Sequence, residues 1–283
     1  MAVLKVGFLG PSGTFTEQAM ARFFYKKKGL EGVPFNEIPE LIKSAGSGAI
    51  DAGVVPVENS VEGSVNVTLD LLLRDEAVVI TGEVVLPVVH CLLARKASDG
   101  FERVLSHPHA LAQCREYLKR ELPGAVRETT TSTAEAARIV ASSPEPLAAI
   151  GTEGAARHYG LLVVARGIQD TAENETRFLV IGREPAPRTG RDKTSIAFSL
   201  VQDRPGVLYA ALGEFASRGI NLTRIESRPA RRSIGHYIFF IDCEGHREDP
   251  PVAGALAAIK KQSTFFKILG SYPRWEGHRC SNG

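Results

Sequence analysis

The sequence lacks any strong charge imbalance: 34 Lys and Arg stand against 32 Asp and Glu, a formal net charge of +2. So small an excess, scattered along the chain, gives no reason to expect nucleic acid or an anionic membrane as a partner. The densest basic groups are Lys26-Lys27-Lys28 and the stretch Arg224, Arg228, Arg231 and Arg232. Neither has an aromatic platform or a helix-turn-helix pattern beside it, and both read as solvated faces. Cysteine is sparse as well. The four cysteines, at positions 91, 114, 243 and 280, form no Cys-x-x-Cys pair, which argues against zinc and against a disulfide framework. Long apolar runs are missing too: "AVVITGEVVLPVVHCLLA" is broken by Gly82, Glu83, Pro87 and His90 and is not a membrane span. The opening "MAVLKVGFLG" is a strand pattern with no leader-peptide signature, so cytoplasm is the expected compartment. There is no internal repeat.

What is present is an ordinary globular composition, 43% hydrophobic and 23% charged, over 283 residues, enough for about two domains. Up to residue 183 strand and helix patterns alternate. "VLKVGFLG", "IDAGVVPV", "RVLSH", "LAAIG", "LLVVAR" and "RFLVI" read as strands. Phe15, Ala19, Met20, Phe23 and Phe24 share one helical face, and Leu111, Cys114, Leu118 and Leu122 form the stripe of another single helix, with Cys114 as a core residue. Such alternation predicts parallel sheets covered by helices, with ligands beyond the carboxyl ends of the strands. Residues 184–193, "EPAPRTGRDK", read as a linker. Residues 194–273 follow in the order βαββαβ, the ferredoxin-like split motif.

Polar groups gather where strands end. "GFLGPSGTFT" has neither the lysine of a phosphate loop nor dinucleotide glycine spacing. It does offer a helix N-terminus with the hydroxyls of Ser12, Thr14 and Thr16, a cradle for a carboxylate. "VPVENSVEGS" leaves a strand with Glu58, Asn59 and Ser60, "SHPHALAQC" opens a helix, and "NETRFLVIG" begins a buried strand with Thr176 and Arg177. That last pair has two readings, a polar strand rim or a site on a rigid platform. His107-x-His109 has no third ligand in the pattern, so no metal is expected. With no nucleophile–base pair in view, the set suggests binding of a small, oxygen-rich anion.

"GPSGTFT", "PVENSVEGS", "SHPHALAQC" and "NETRF" occur in the order and spacing of prephenate dehydratases. "DRPGVL", "GINLTRIESRP" and "GHYIFFID" resemble the ACT regulatory domain those enzymes carry. Two positions depart from the family pattern: His109 stands where glutamine is expected, and Val207 where alanine is. The resemblance implies a two-lobed, periplasmic-binding-protein-like α/β catalytic domain over 1–183, a linker over 184–193 and an ACT domain over 194–273. It implies conversion of prephenate to phenylpyruvate, CO2 and water, without cofactor or metal. Thr176 would assist the leaving hydroxyl, Arg177 would place positive charge near the substrate or polarise that hydroxyl, and Phe178 would pack beneath the ring. Ser12, Thr14, Asn59, Ser60 and Thr152 would bind the substrate. L-Phenylalanine would bind the ACT domain through Gly206, Val207, Leu208, Asn221, Leu222, Glu226 and Ser227, in a homodimer or homotetramer. Arogenate dehydratase and a non-catalytic amino-acid sensor are the alternative readings.

Overall fold

The computed structural model describes residues 3–97, 100–201, 205–229 and 237–277. Cys280, Asp203 and Arg204 of "DRPGVL", Gly235 and His236 of "GHYIFFID", and the basic pair Arg231-Arg232 lie outside the described residues. The chain runs β1 (Leu4–Leu9), α1 (Phe15–Phe23), β2 (Leu30–Phe35), α2 (Ile38–Ser47), β3 (Ala52–Asn59), β4 (Gly63–Ser64), α3 (Asn66–Arg74), β5 (Val79–Pro87) and β6 (Cys91–Ala94). It continues with β7 (Arg103–Ser106), α4 (Pro108–Gln113), α5 (Arg115–Glu121), β8 (Val126–Thr129), α6 (Thr133–Ser142), β9 (Leu147–Gly151), α7 (Glu153–Tyr159), β10 (Leu162–Arg166) and β11 (Glu175–Gly182). The last segment is β12 (Asp192–Leu200), α8 (Val207–Ala216), β13 (Leu222–Pro229), β14 (Tyr237–Glu244), α9 (Pro250–Lys261) and β15 (Ser263–Pro273).

These strands form a mixed α/β fold of three sheets. The first has the order β2-β1-β3-β11-β5, with β4 paired to β3. The late strand β11 thus returns to lie between β3 and β5, and it sets "NETRF" beside "PVENS". The second sheet has the order β10-β6-β9-β7-β8. Its alternate residues face opposite ways, as a pleated strand requires. Cys91, Leu93, Leu105 and Ala149 pack on α6 and α7 through Ala136, Val140 and Ala155. Leu92, Ala94, Val104 and Ile150 pack on α4 and α5 through Leu111, Cys114 and Leu118.

Three expectations need correction. The second sheet is not all parallel, because β6 pairs antiparallel with both β9 and β10. β9 and β10, joined through α7, flank β6 on either side and both run opposite to it. The helix expected through Cys114 is two helices. The backbone N–H of Asp170 takes the carbonyl of Gln113 at 2.7 Å, and the Asp170 carboxylate accepts from Glu116 N at 3.2 Å, so one residue ends α4 and caps α5. Leu111, Cys114 and Leu118 remain on a common buried stripe. Finally, β12 starts at Asp192 inside the expected linker, and both Asp192 and Lys193 are buried.

The chain divides into two compact units. One comprises Met1–Leu41, Gly53–Asn66 and Val84–Phe178; the other comprises Ile42–Ala52, Val67–Glu83 and Leu179–Gly283. Within the second, the sheet β13-β14-β12-β15 is antiparallel throughout and gives the βαββαβ motif its ferredoxin-like order. Ile196, Phe198, Ile241 and Cys243 of this sheet meet Ala211 and Phe215 of α8 and Val252, Leu256 and Ile259 of α9. The second unit also contains most of α3 and the first half of β5. Lys267 Nζ donates to the Leu72 and Asp75 carbonyls at 2.7 and 2.8 Å, Arg228 pairs with Asp70 at 2.7 Å, and Lys193 Nζ lies 2.8 Å from the Glu83 carboxylate.

Candidate active site

β3 ends at Asn59, and the side chain of that residue organises the turn that follows. Its Oδ1 accepts from the backbone N–H groups of Val61 and Glu62, both at 2.9 Å. The amide orientation is therefore fixed, because only oxygen can face two donors. Its Nδ2 donates across to β11, reaching Asn174 Oδ1 at 2.7 Å and Thr176 Oγ1 at 2.8 Å. Thr176 is half-buried at the mouth of its strand. With one lone pair occupied by Asn59, its hydroxyl hydrogen is directed elsewhere, as a donor. Ser60 ties the same two segments: its N–H donates to Glu175 O at 2.9 Å, and its Oγ accepts from Glu175 N at 3.0 Å.

Thr176 and Asn59 line an open cleft of about 450 Å³, a volume ordinary for a small-molecule site. The other wall brings side chains from the second sheet: Gln113 from the end of α4, His107 and His109 from its start, His90 before β6, and Thr131, Ser132 and Thr133 at the N-terminus of α6. Ser132 caps α6, accepting from Glu135 N at 3.0 Å, so the positive end of the helix dipole faces the cleft. None of the described lining residues is Lys or Arg. Glu62 is the acidic group of the wall; Gln113 Nε2 donates to it at 3.1 Å, and His109 Nδ1 lies 3.4 Å from it. The His107-x-His109 pattern therefore does have a carboxylate beside it, contrary to the sequence reading. The two rings meet edge to face at 4.9 Å. Burial, with the charge of His109 added, holds the His107 imidazole below its ordinary pKa. Among the described residues, no group of three or more His, Cys, Asp or Glu is arranged to hold a metal.

Of the residues singled out from sequence, Asn59 and Thr176 line the cleft, and Ser12, Thr14, Ser60, Thr152, Arg177 and Phe178 are not among its lining residues. The Thr14 hydroxyl of the glycine-rich loop is engaged within the protein. Thr14 Oγ1 donates to Leu9 O at 2.8 Å and accepts from Glu17 N at 3.4 Å, capping α1. Thr152 Oγ1, 1% exposed, donates to Gly13 O at 2.6 Å and caps α7. Tyr159 OH donates to Ser12 O at 3.3 Å. Gly13 has φ of +92°, and a Cβ there would meet Ala155 at 2.7 Å, so the loop lies hard against α7 and pins the two sheets' elements together. Phe178, two residues beyond Thr176, is 2% exposed in the core. Arg177 points to the opposite face of β11 and lies 3.6 Å from Glu58. Gln113, Asn174, His90 and the α6 N-terminus were not singled out from sequence. "AQC" and "NETRF" contain the first two, but nothing in their spacing marks the amides as polar members of a cleft.

In the second unit, Gly206 caps the start of α8 in the left-handed conformation, with φ of +84°, and Val207 and Leu208 form its first turn. Asn221 and Leu222 lead into β13, where Glu226 pairs with Arg224 and Ser227 is exposed. β13 is an edge strand carrying the half-exposed Ile225. No helix among the described residues is long and apolar enough to cross a membrane.

Comparison with known proteins shows the family and the fold. The prephenate dehydratase family model matches residues 6–186, and the ACT domain model matches residues 194–261. The bifunctional chorismate mutase/prephenate dehydratase of Aquifex aeolicus is 45% identical over 274 residues, 96% of this chain and 74% of that protein. The prephenate dehydratase of Methanocaldococcus jannaschii is 41% identical over 267 residues, 93% of this chain and 96% of its own. The crystal structure of the Arthrobacter aurescens prephenate dehydratase in complex with L-Phe superposes with a TM-score of 0.85 at 38% identity, covering 96% of this chain and 90% of that one. The chain belongs to the prephenate dehydratase family of lyases and carries an ACT domain at its C-terminal side.

Proposed function

We propose that the cleft lined by Thr176 and Asn59 converts prephenate to phenylpyruvate, and that the ACT segment takes L-phenylalanine as effector. The observation that carries the first part is the Asn59 Nδ2–Thr176 Oγ1 hydrogen bond of 2.8 Å, which leaves the threonine hydroxyl as a donor into the cleft. In the reaction the bond from the ring to its carboxylate breaks. Its electron pair moves through the ring, which becomes aromatic, and expels the hydroxyl at the opposite carbon. One proton joins that hydroxide to give water. Thr176 hydrogen-bonds the departing oxygen as negative charge develops on it, an interaction stronger in the transition state than in the ground state. The cleft's partial exclusion of water strengthens that bond, and holding the dicarboxylate in one pose supplies much of the rest.

We assign the substrate carboxylates to the α6 N-terminus at Thr131–Thr133 and to the second N–H of the Gln113 amide, the first being given to Glu62, with Asn59 setting the threonine. Ser12, Thr14, Ser60 and Thr152 then hold the walls rather than the substrate. Arg177, beside Glu58, contributes positive charge from behind the strand, and Phe178 gives the strand its rigid seat. The catalytic domain is taken as 1–183 and the ACT domain as 194–273, in a cytoplasmic homo-oligomer that pairs through the β13 edge. Effector binding rests on the left-handed Gly206 turn at the start of α8, whose N–H groups suit a carboxylate, and on the L-Phe complex of the Arthrobacter aurescens relative. Val207 narrows this site by about two methyl groups relative to alanine, so Val207→Ala tightens phenylalanine binding by roughly tenfold.

Turnover of prephenate and of arogenate by the purified full chain, each titrated with phenylalanine, tests this reading. Phenylpyruvate formation that phenylalanine inhibits, more tightly in Val207→Ala, is the expected result. Faster turnover of arogenate would make the enzyme an arogenate dehydratase, and turnover of neither would leave an amino-acid sensor. Phenylalanine without effect on either form would remove the regulatory assignment.

A further inference from the structure

The hydrogen bonds that reach Thr176 do not stop at Asn59. Asn174 Oδ1 accepts from Asn59 at 2.7 Å, so its own Nδ2 is left to donate to Gln113 Oε1, at 3.2 Å. Gln113 Nε2 is committed to the Glu62 carboxylate at 3.1 Å, which can only accept. Gln113 Oε1 is thus fixed as the acceptor facing His90, whose Nε2 lies 2.9 Å away. That nitrogen must carry a hydrogen. Two backbone N–H groups, at Val61 and Glu62, therefore dictate every amide orientation along the chain and the tautomer of the imidazole at its far end.

His90 is 3% exposed, and its Nδ1 has no hydrogen-bond partner among the described residues. A second N–H there would find no acceptor, and burial independently holds the imidazole below its ordinary pKa. The ring is neutral, with hydrogen on Nε2. It is also immobilised: it packs edge-on to Phe15 at 5.8 Å, its backbone N–H donates to Gln169 Oε1 at 3.0 Å, and its carbonyl accepts from Ile168 N at 3.1 Å. An apolar ring would fill this place without leaving a buried nitrogen idle. What an apolar ring cannot supply is the N–H that holds Gln113.

We propose that His90 is a positioning residue for the reaction: through Gln113, Asn174 and Asn59, its Nε2–H anchors the far end of the network that holds the Thr176 hydroxyl in place. This rests on the assignment of Thr176 as the group that meets the leaving oxygen. Without the imidazole N–H, Gln113 Oε1 loses the contact that anchors its far side. The amide orientations set by the Val61 and Glu62 N–H groups and the Glu62 carboxylate persist, but Gln113 and Asn174 can shift, and Asn59 and the Thr176 hydroxyl shift with them. A displacement well under an ångström at the reacting hydroxyl is enough to slow the reaction.

The test compares kcat and KM for prephenate in the full-length wild type, His90→Phe, His90→Gln and Thr176→Ala, each checked for folding by circular dichroism. His90→Phe keeps the edge packing on Phe15 and removes the N–H; kcat should fall about 100-fold, with KM changed much less. His90→Gln returns an amide N–H near the Nε2 position and should recover most of the lost kcat. A merely structural role would give no such recovery. His90→Phe with near-wild-type kcat, beside an inactive Thr176→Ala, overturns this inference alone, as does folded His90→Gln no better than His90→Phe. Thr176→Ala with wild-type kcat overturns the catalytic assignment and this inference with it. Should His90→Phe fail to fold, ¹⁵N spectra of wild-type histidines decide: a neutral Nε2–H ring at position 90 is expected, and an Nδ1–H or doubly protonated ring at neutral pH contradicts the proposal.

Discussion

Asn59 holds both the turn after β3 and the hydroxyl at the mouth of β11, and that double duty makes a site at two strand ends rigid. Its local role was legible in sequence, because Asn-Ser after a buried strand is a turn signal. Its longer reach was not. Asn174 and Thr176 are 115 and 117 residues away, and Gln113 meets Asn174 across 61. Such pairings depend on strand order and leave no periodic trace in the chain. The histidines of the cleft have a consequence for stability. His90 and His107 both have folded-state pKa values lowered, chiefly by burial, from an ordinary value of 6.5. A base whose pKa is lower in the folded state binds more protons when unfolded, so stability rises with pH across that interval. The contribution is complete above about pH 6.5 and is lost as pH falls below it. Thermal melts from about pH 7.5 down to about pH 5 should show a falling Tm, more shallowly in His90→Gln. A flat or rising Tm on acidification contradicts the assignment of neutral, buried imidazoles.

At the scale of elements, the clearest strands in the catalytic segment are those buried on both faces. "RFLVI" and "LAAIG" are continuous apolar runs, and both form strands with exposed positions only at the ends or none at all. β2 and β8 were not expected. Their burial patterns are largely exposed, with Glu31 and Gly32 in one and every residue exposed in the other, so neither carries an apolar period. α2, α3 and α6 were also missed; their short apolar faces follow loops whose signals are weaker than those of the strands beside them. The break between α4 and α5 belongs to tertiary structure, since it depends on Asp170, a residue far along the chain. The same break gives Gln113 its place at the end of α4. The ferredoxin-like segment was the easiest to read, because all its elements are local in sequence and its sheet order follows from a single motif.

At the scale of the molecule, the sequence reading separates a catalytic from a regulatory segment near residue 183, while the second compact unit joins Val67–Glu83 with Leu179–Gly283. Lys193 marks the reason. It reads as one charge of a polar linker, yet it is 8% exposed and bonds both oxygens of Glu83, at 2.8 and 2.9 Å; Trp275 N also donates to that carboxylate at 3.1 Å. The glycine at 270 belongs to the same packing: a Cβ there would fall 2.2 Å from the Ile80 carbonyl oxygen. A chain cut near Arg183 would therefore strand a carboxylate 2% exposed, and regulation is better tested in the full chain. Lys193→Met should destabilise the protein by about 3–5 kcal/mol, and the double change Glu83→Leu with Lys193→Met by less, because the buried charge goes with its partner. Denaturant melts of the two variants check this. Equal stability of Lys193→Met and wild type would mean the pair contributes nothing to the unit.

Catalysis in the cleft turns on one hydroxyl. The kcat of Thr176→Ala for prephenate, measured against wild type on protein with an unchanged melting profile, tests it most directly. Loss of the hydrogen bond to the departing oxygen should lower kcat by about 10²- to 10⁴-fold and leave KM much less affected. An alanine variant that forms phenylpyruvate at near the wild-type kcat would contradict the assignment of Thr176 to the leaving hydroxyl.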